Sequence, residues 1–132
     1  MSASSIPRRQ ARERALEILY EATLKRRPVA AIIAEHRLPV DAYAQRLAQS
    51  ADEQRDALEA RIAAVLEGWT LERLALVDRL VLVLALAELS WPDAPPAPVV
   101  LNEAIDLARI YSTEASPAFV NGVLVGCLGS GR

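Results

Sequence analysis

Apolar residues recur at helical spacing near the start of the chain. Between residues 7 and 27 the small and aliphatic side chains fall within an arc of about 100° on a helical wheel, which is typical of a helix with one packed face. These side chains are Ala11, Ala15, Ile18, Leu19 and Ala22. Pro7 suits the first turn of a helix, and Pro28 cannot continue one. The pattern predicts an amphipathic helix over residues 7–27.

The middle of the chain predicts several shorter helices. Residues 29–35 fit one short helix, and Asp41 is a suitable N-cap for a weak helix that ends near Leu47. A clearer helix is expected over residues 53–67, closed by Gly68. We expect its inward residues to be Ala57, Ala60, Ile62 or Ala64, and Val65.

The apolar run from Leu80 to Leu89 is the most hydrophobic part of the chain. A short turn over residues 71–76 precedes it. The run has no amphipathic period, so its pattern alone also fits a buried strand. We favour a central helix, because an isolated strand would have no partner strand. Four prolines then make residues 90–98 a loop.

Two more helices complete the pattern. Residues 101–109 are amphipathic, residues 111–115 break the period, and Ser116 followed by Pro117 predicts the N-cap and first turn of a last helix. Its inward residues are expected to be Phe119, Val120, Val123, Leu124 and Cys127. The 132 residues thus predict an all-α fold, a compact bundle of about six or seven helices. Residues 1–6 are expected to be a disordered tail and residues 7–132 a single domain.

Charge changes the interpretation of the first helix. Residues 1–27 carry seven basic and three acidic side chains, a net charge of +4, whereas the whole chain carries −2. A basic end on an acidic body indicates an anionic partner at one place. Fourteen of the fifteen basic residues are arginine, which suits bidentate or stacking contacts, although a GC-rich coding bias would give the same preference.

The sequence offers little support for catalysis or cofactor binding. It contains no glycine-rich phosphate loop, so we expect no nucleotide cofactor. A single histidine, His36, and a single cysteine, Cys127, do not supply the ligand set of a typical metal site. Glu103 and Asp106 fit a solvated helix face or a cap contact better than a catalytic carboxylate pair. No secretory signal or membrane-spanning run is evident, so a soluble cytoplasmic protein without a membrane partner is expected.

A second stripe on the first helix needs an explanation besides core packing. Arg9, Arg12, Leu16 and Tyr20 share it, and Arg9 and Tyr20 return to nearly the same angle about 16 Å apart along the axis. Arginines for phosphates and an aromatic ring for stacking are the combination that binds single-stranded RNA. A solvated charged face and a boundary tyrosine remain the alternative.

Four blocks of the sequence resemble one protein family. They begin at Arg8, Ala87, Val100 and Phe119, and they read RRQARE-x-AL-xx-LY, AEL, VLNEAIDLAR and FVNGVL. In this order and spacing they resemble the NusB family of bacterial transcription antitermination factors. The likeness spans nearly the whole chain, although residues 28–70 contribute little to it.

The resemblance implies a fold of two helical subdomains and a function without catalysis or cofactor. It implies binding of boxA-type single-stranded RNA from ribosomal RNA leader transcripts together with NusE, a small-subunit ribosomal protein. The assembly then joins the RNA polymerase elongation complex. Family members also self-associate, so a homodimer that covers the RNA face is left open.

The resemblance also assigns site residues by position. Arg8, Arg9 and Arg12 match an arginine-rich RNA-contacting segment, and Tyr20 matches a tyrosine near both the RNA and the protein partner. Two further residues, Ser116 and Phe119, fall in a second RNA-contacting region. Where the family usually has a basic residue before that phenylalanine, this chain has Ala118. We expect this second region to lie beside the first helix because the last helix packs against the first.

Two other functions fit the residues. One is a NusB-like accessory RNA-binding domain of an RNA methyltransferase; the sequence has no cofactor-binding βα unit, so it would then be a fragment of such an enzyme. The other is a helical bundle that binds only proteins, with its arginines merely solvated. Binding of RNA with and without NusE distinguishes these functions.

Overall fold

The computed structural model describes residues 6–130, and within them it contains seven α-helices and no strand. The predicted all-α fold class is therefore confirmed. The helices are α1 (Arg8–Lys25), α2 (Val29–Ala34), α3 (Ala42–Glu53), α4 (Arg55–Val65), α5 (Leu76–Leu89), α6 (Ala97–Tyr111) and α7 (Ser116–Ser130), with a 3₁₀ turn at Leu71–Arg73 between α4 and α5.

The helices pack in two groups around one apolar core. Helices α1, α2 and α3 contact one another, and α4 to α7 form the second group. Helix α5 joins them, because it packs on α1 and α3 as well as on α4, α6 and α7. Every residue from Leu80 to Ala87 is buried, which explains why this helix has no polar face. The interpretation as a central helix rather than a strand is confirmed.

Helix α1 buries the predicted face. Its five predicted core residues are all at most 3% exposed. The helix ends at Arg26, which takes the left-handed conformation with φ 55°, and the backbone N–H of Arg26 donates to Thr23 O. A left-handed residue that closes the last turn is a common helix C-terminus. The packed stripe of this helix follows directly from its sequence.

Asp41 caps α3 as expected and also orders the chain start. Its Oδ2 accepts from Ala44 N at 3.0 Å, and its Oδ1 accepts from Ile6 N at 3.3 Å. Ile6 packs partly against the core, so the prediction that it belongs to a disordered tail is wrong. Residues 1–5 of that predicted tail lie outside the described residues. Helix α3 continues past Leu47 to Glu53.

Helix α4 begins two residues later than predicted and faces the core differently. Leu58 and Ile62 are its buried residues, whereas Ala57, Ala60 and Ala64 are exposed. The large aliphatic side chains bury more apolar area than alanines and therefore determine which face turns inward. The predicted inward alanines are wrong. Gly68 does have a positive φ of 73°, but it lies three residues beyond Val65.

Helices α6 and α7 differ from expectation mainly in their neighbours. Helix α6 starts at Ala97, so Pro98 belongs to its first turn rather than to the preceding loop. Helix α7 packs on α6, α5 and α4, while α1 packs on α3, α2 and α5. The expectation that the last helix packs against the first is wrong. Helix α5, which packs on both, separates them.

Candidate nucleic-acid interface

Arg8 is the first arginine of α1, and it lies on an aromatic ring. Its guanidinium carbon is 3.9 Å from the centre of the Tyr43 ring, which α3 supplies. Arg8 is exposed and has no carboxylate partner among residues 6–130. Stacking on the ring orients the guanidinium without neutralising its charge. Arg8 is thus a free, positioned cation.

Arg9 is half exposed, but it is already paired. Its Nη2 lies 2.8 Å from Glu103 Oε2 and 2.5 Å from Asp106 Oδ2 on α6. Hydrogen bonds first with Glu103 and then with Asp106 raise the pKa of Arg9. Glu103 and Asp106 were expected to lie on a solvated helix face. They instead form an ion-pair network with Arg9 and Arg109. Any anion that binds Arg9 competes with two carboxylates.

Arg12 points into the protein. Its Nε donates to Glu88 Oε1 at 2.9 Å, and its Nη2 donates to Glu88 Oε2 at 2.6 Å. Arg12 is 6% exposed and Glu88 is 1% exposed. Burial opposes the charge of Arg12, but the hydrogen bonds and charge of Glu88 outweigh it, so its pKa is raised. This placement differs from the outward orientation that the predicted RNA contact requires.

Glu88 is the residue that the sequence interpretation missed. It also accepts a hydrogen bond from the Tyr43 hydroxyl, while Tyr43 supports Arg8. Burial, and next the hydrogen bond to Glu88, raise the pKa of Tyr43 to about 12. A carboxylate inside an otherwise apolar run is itself a signal, because a buried charge needs a partner. A buried glutamate at this position therefore predicts a cationic side chain on a neighbouring helix.

Tyr20 lies at the other end of α1, in a groove of about 280 Å³. It is 39% exposed. The groove is lined by Glu13, Leu16, Glu17, Tyr20, Val77 and Tyr111. The Tyr111 hydroxyl donates to Glu13 Oε2 at 3.1 Å. Two carboxylates beside an aromatic ring disfavour phosphate and favour a protein partner at this groove.

Ser116 is buried at the N-terminal end of α7. Its Oγ accepts from Thr113 N at 3.1 Å and donates to Ser112 Oγ at 3.0 Å, and Ser112 Oγ donates to Asp78 Oδ1 at 2.6 Å. Ser116 is 1% exposed and is the first residue of α7 rather than its N-cap. It holds the 112–116 turn against α5 and is not positioned to touch RNA directly.

Phe119 is half-buried and lines a second pocket, of about 220 Å³, at the N-terminal end of α5. Asp78 lines this pocket, and its neighbour Val77 lines the groove of Tyr20. Both cavities therefore lie at the N-terminal end of α5. Tyr20 and Phe119 line separate cavities, whereas Arg9 lies about 16 Å from Tyr20 along α1. The predicted site divides into an arginine end and an aromatic end.

The lone histidine and the lone cysteine contact other protein groups and show no sign of a catalytic role. Arg14 Nη2 lies 3.1 Å from His36 Nδ1, and burial raises the pKa of the Cys127 thiol. Within residues 6–130, no three histidine, cysteine or acidic side chains gather as metal ligands. In the same part of the chain, no helix has the length and hydrophobicity needed to cross a bilayer.

Curated proteins similar in sequence to this chain are transcription antitermination proteins. The curated NusB of Thermobifida fusca is 40% identical over 121 residues, covering 89% of this chain and 85% of that protein. NusB of Acidothermus cellulolyticus is 43% identical over 121 residues, covering 89% and 83%. The NusB family matches residues 9–128. The chain belongs to the NusB family.

Solved structures agree with this assignment. NusB of T. maritima has a TM-score of 0.82 and 32% identity, covering 96% of this chain and 93% of that one. A crystal structure of antitermination factors NusB and NusE in complex with dsRNA contains a chain with a TM-score of 0.78 and 27% identity. That match covers 93% of this chain and 96% of the other.

Proposed function

We propose that this protein is an RNA-binding transcription antitermination factor without catalytic activity. It binds boxA-type RNA of ribosomal RNA leader transcripts together with NusE and acts on the elongating RNA polymerase in the cytoplasm. The observation that carries the proposal is the match to a NusB chain from a complex with NusE and dsRNA, which covers 93% of this chain.

The RNA face that we propose is smaller than the sequence suggested. Arg8 and Arg9 point outward from the first turn of α1 and supply the phosphate contacts. Arg12 and Ser116 act beneath the surface as positioning residues, because both are buried and fully engaged. Phe119 supplies a stacking surface at the aromatic end.

The groove around Tyr20 is the proposed contact for NusE. Its carboxylates, Glu13 and Glu17, repel phosphate but complement basic side chains of a ribosomal protein. Tyr20 and Tyr111 are 39% and 44% exposed, and tyrosines are common anchors in protein interfaces. RNA and protein partner would then occupy neighbouring surfaces.

Binding of a labelled boxA RNA, measured with and without NusE over a range of salt concentrations, tests the proposal. Two phosphate contacts by Arg8 and Arg9 predict a slope of log K against log salt of about −1.4. Arg8→Ala combined with Arg9→Ala should flatten that slope. Lys25→Ala combined with Arg27→Ala, at the other end of α1, is the matched control and should leave RNA binding unchanged.

Each alternative function predicts a different result. A chain that binds NusE but no RNA, at any salt concentration, would be a protein-interaction bundle. RNA binding that ignores NusE would favour an accessory domain of an RNA-modifying enzyme. If the free protein is a homodimer that covers α1, its dimer fraction in gel filtration should fall as RNA is added.

A further inference from the structure

The pocket beside Phe119 contains two residues that neither the sequence motifs nor the predicted site included. Trp69 lies in the loop after α4 and is 56% exposed. Arg73 ends the 3₁₀ turn that follows. Both line the pocket of about 220 Å³ together with Phe119, Asp78 and the 113–116 turn. An exposed indole, a phenyl ring and a guanidinium thus converge on one small cavity.

Arg73 differs from the other arginines of the second helical group. Arg79 contacts Glu59, Arg109 contacts Asp106, and Arg61 reaches the backbone oxygen of Cys127. The side chain of Arg73 has no hydrogen bond or ion pair with any residue that the structure describes. It is exposed. An anion that meets Arg73 therefore displaces no carboxylate, unlike an anion that meets Arg9.

The walls of the pocket carry polar groups as well. Asp78 is 7% exposed, and its Oδ1 accepts from Ser112. Its Oδ2 has no donor among the described residues. The pocket is smaller than the roughly 300 Å³ at which ordinary small-molecule sites begin, so it has room for one planar ring system. A purely apolar side chain would leave the carboxylate without a partner.

We propose that this pocket binds one unpaired nucleotide of the RNA. The base stacks on Trp69 beside Phe119, and its phosphate contacts Arg73. An exocyclic amino group on the base donates to Asp78, so adenine, guanine or cytosine is preferred over uracil at this position. The proposal rests on the RNA-binding function above and extends it to the loop between α4 and α5.

Intrinsic fluorescence tests the stacking directly, because the chain has two tryptophans. Trp91 is buried at 8% exposure, and its Nε1 donates to Ser50 Oγ, so it serves as an internal reference. Adding boxA RNA in the presence of NusE should quench the wild-type emission. Trp69→Phe keeps a stacking ring and should bind with nearly wild-type affinity while losing the quenching.

Affinity measurements test the contributions of the ring and the charge. Trp69→Ala should weaken RNA binding by about 5- to 150-fold, the range observed for one base stacked on an aromatic ring. Arg73→Ala should make the salt slope shallower by about 0.7. Arg37→Ala removes another exposed cation without a carboxylate partner and should change neither quantity.

Base substitution then locates the nucleotide. Replacing each RNA position in turn with an abasic residue should reproduce the Trp69→Ala loss at one position, where uracil should bind more weakly than the amino-bearing bases. If the Trp69 and Arg73 variants keep the wild-type affinity, salt slope and quenching, the pocket does not bind a nucleotide. The proposed function would remain intact. Loss of NusE binding without RNA in Trp69→Ala would assign the pocket to a protein instead. Failure of the wild-type protein to bind RNA with NusE would overturn both proposals.

Discussion

Arg12 and Glu88 form a buried ion pair between α1 and α5, with Arg12 Nη2 2.6 Å from Glu88 Oε2. The pair stands under the proposed RNA face rather than on it. Glu88 also holds the hydroxyl of Tyr43, whose ring supports Arg8. One carboxylate on α5 thus positions side chains from two other helices, and through them the exposed start of α1.

Removing Arg12 should destabilise the protein strongly. Arg12→Ala leaves Glu88 buried at 1% exposure without its cation, and breaking a buried pair in this way costs about 3–5 kcal/mol. Urea unfolding at pH 7 measures the loss. Arg9→Ala, on the same helix but half exposed, is the matched control and should leave the unfolding midpoint nearly unchanged. Equal midpoints for the two variants would contradict the structural role of Arg12.

The helices were predictable because each has to bury one face. The face of α1 followed from residue spacing. The helical state of the run from Leu80 to Leu89 followed instead from the lack of a partner strand. The inward alanines of α4 were misplaced because Leu58, a larger side chain, determines which face packs. Local spacing predicts the buried face of a helix that has one dominant apolar stripe. It does not predict the buried face of a helix rich in alanine.

The site was harder to predict than the helices. Whether Arg12 points inward depends on Glu88, a residue 76 positions away, and no local pattern contains that information. Arg9 was predicted to contact RNA, but α6 brings Glu103 and Asp106 to it. Trp69 lies in a loop without periodicity, so only the folded chain brings it to Phe119.

Stability should fall at high pH through Tyr43. Its pKa is raised to about 12 in the folded protein, by burial first and then by the hydrogen bond to Glu88, whereas the unfolded value is about 10. The folded state therefore retains the proton more tightly. This contribution is complete below about pH 10 and is lost as the pH rises from 10 to 12.

Urea unfolding at pH 9 and at pH 11 measures this loss. Tyr43→Phe should lower the free energy of unfolding at pH 9 by about 1–3 kcal/mol, because Glu88 loses a donor, and should show a smaller fall between the two pH values. Tyr111, whose pKa is also raised by burial and then by Glu13, contributes equally to both proteins. An identical fall in wild type and variant would show that Tyr43 does not titrate as stated.

Freeing Arg9 should strengthen RNA binding. Asp106 contacts both Arg9 and Arg109, so Asp106→Asn leaves two guanidinium groups less neutralised. At low salt, we expect RNA affinity to rise by about two- to fivefold, the range for one exposed charge pair, and the salt slope to steepen. Glu21→Gln, which frees Lys25 at the opposite end of α1, is the control. Equal effects of both substitutions would indicate general electrostatics rather than a contact at Arg9.

Restoring a cation before Phe119 should also strengthen RNA binding. Ala118 is exposed at the start of α7. It precedes Phe119, which lines the proposed nucleotide pocket, and members of the NusB family usually have a basic residue there. Ala118→Lys adds one phosphate contact, so the salt slope should steepen by about 0.7 and affinity should rise at low salt. Ala30→Lys adds the same charge to an exposed position of α2, in the other helical group, and should give the smaller change. A larger effect from Ala30→Lys would place the RNA on the opposite side of the molecule and remove Phe119 from the interface.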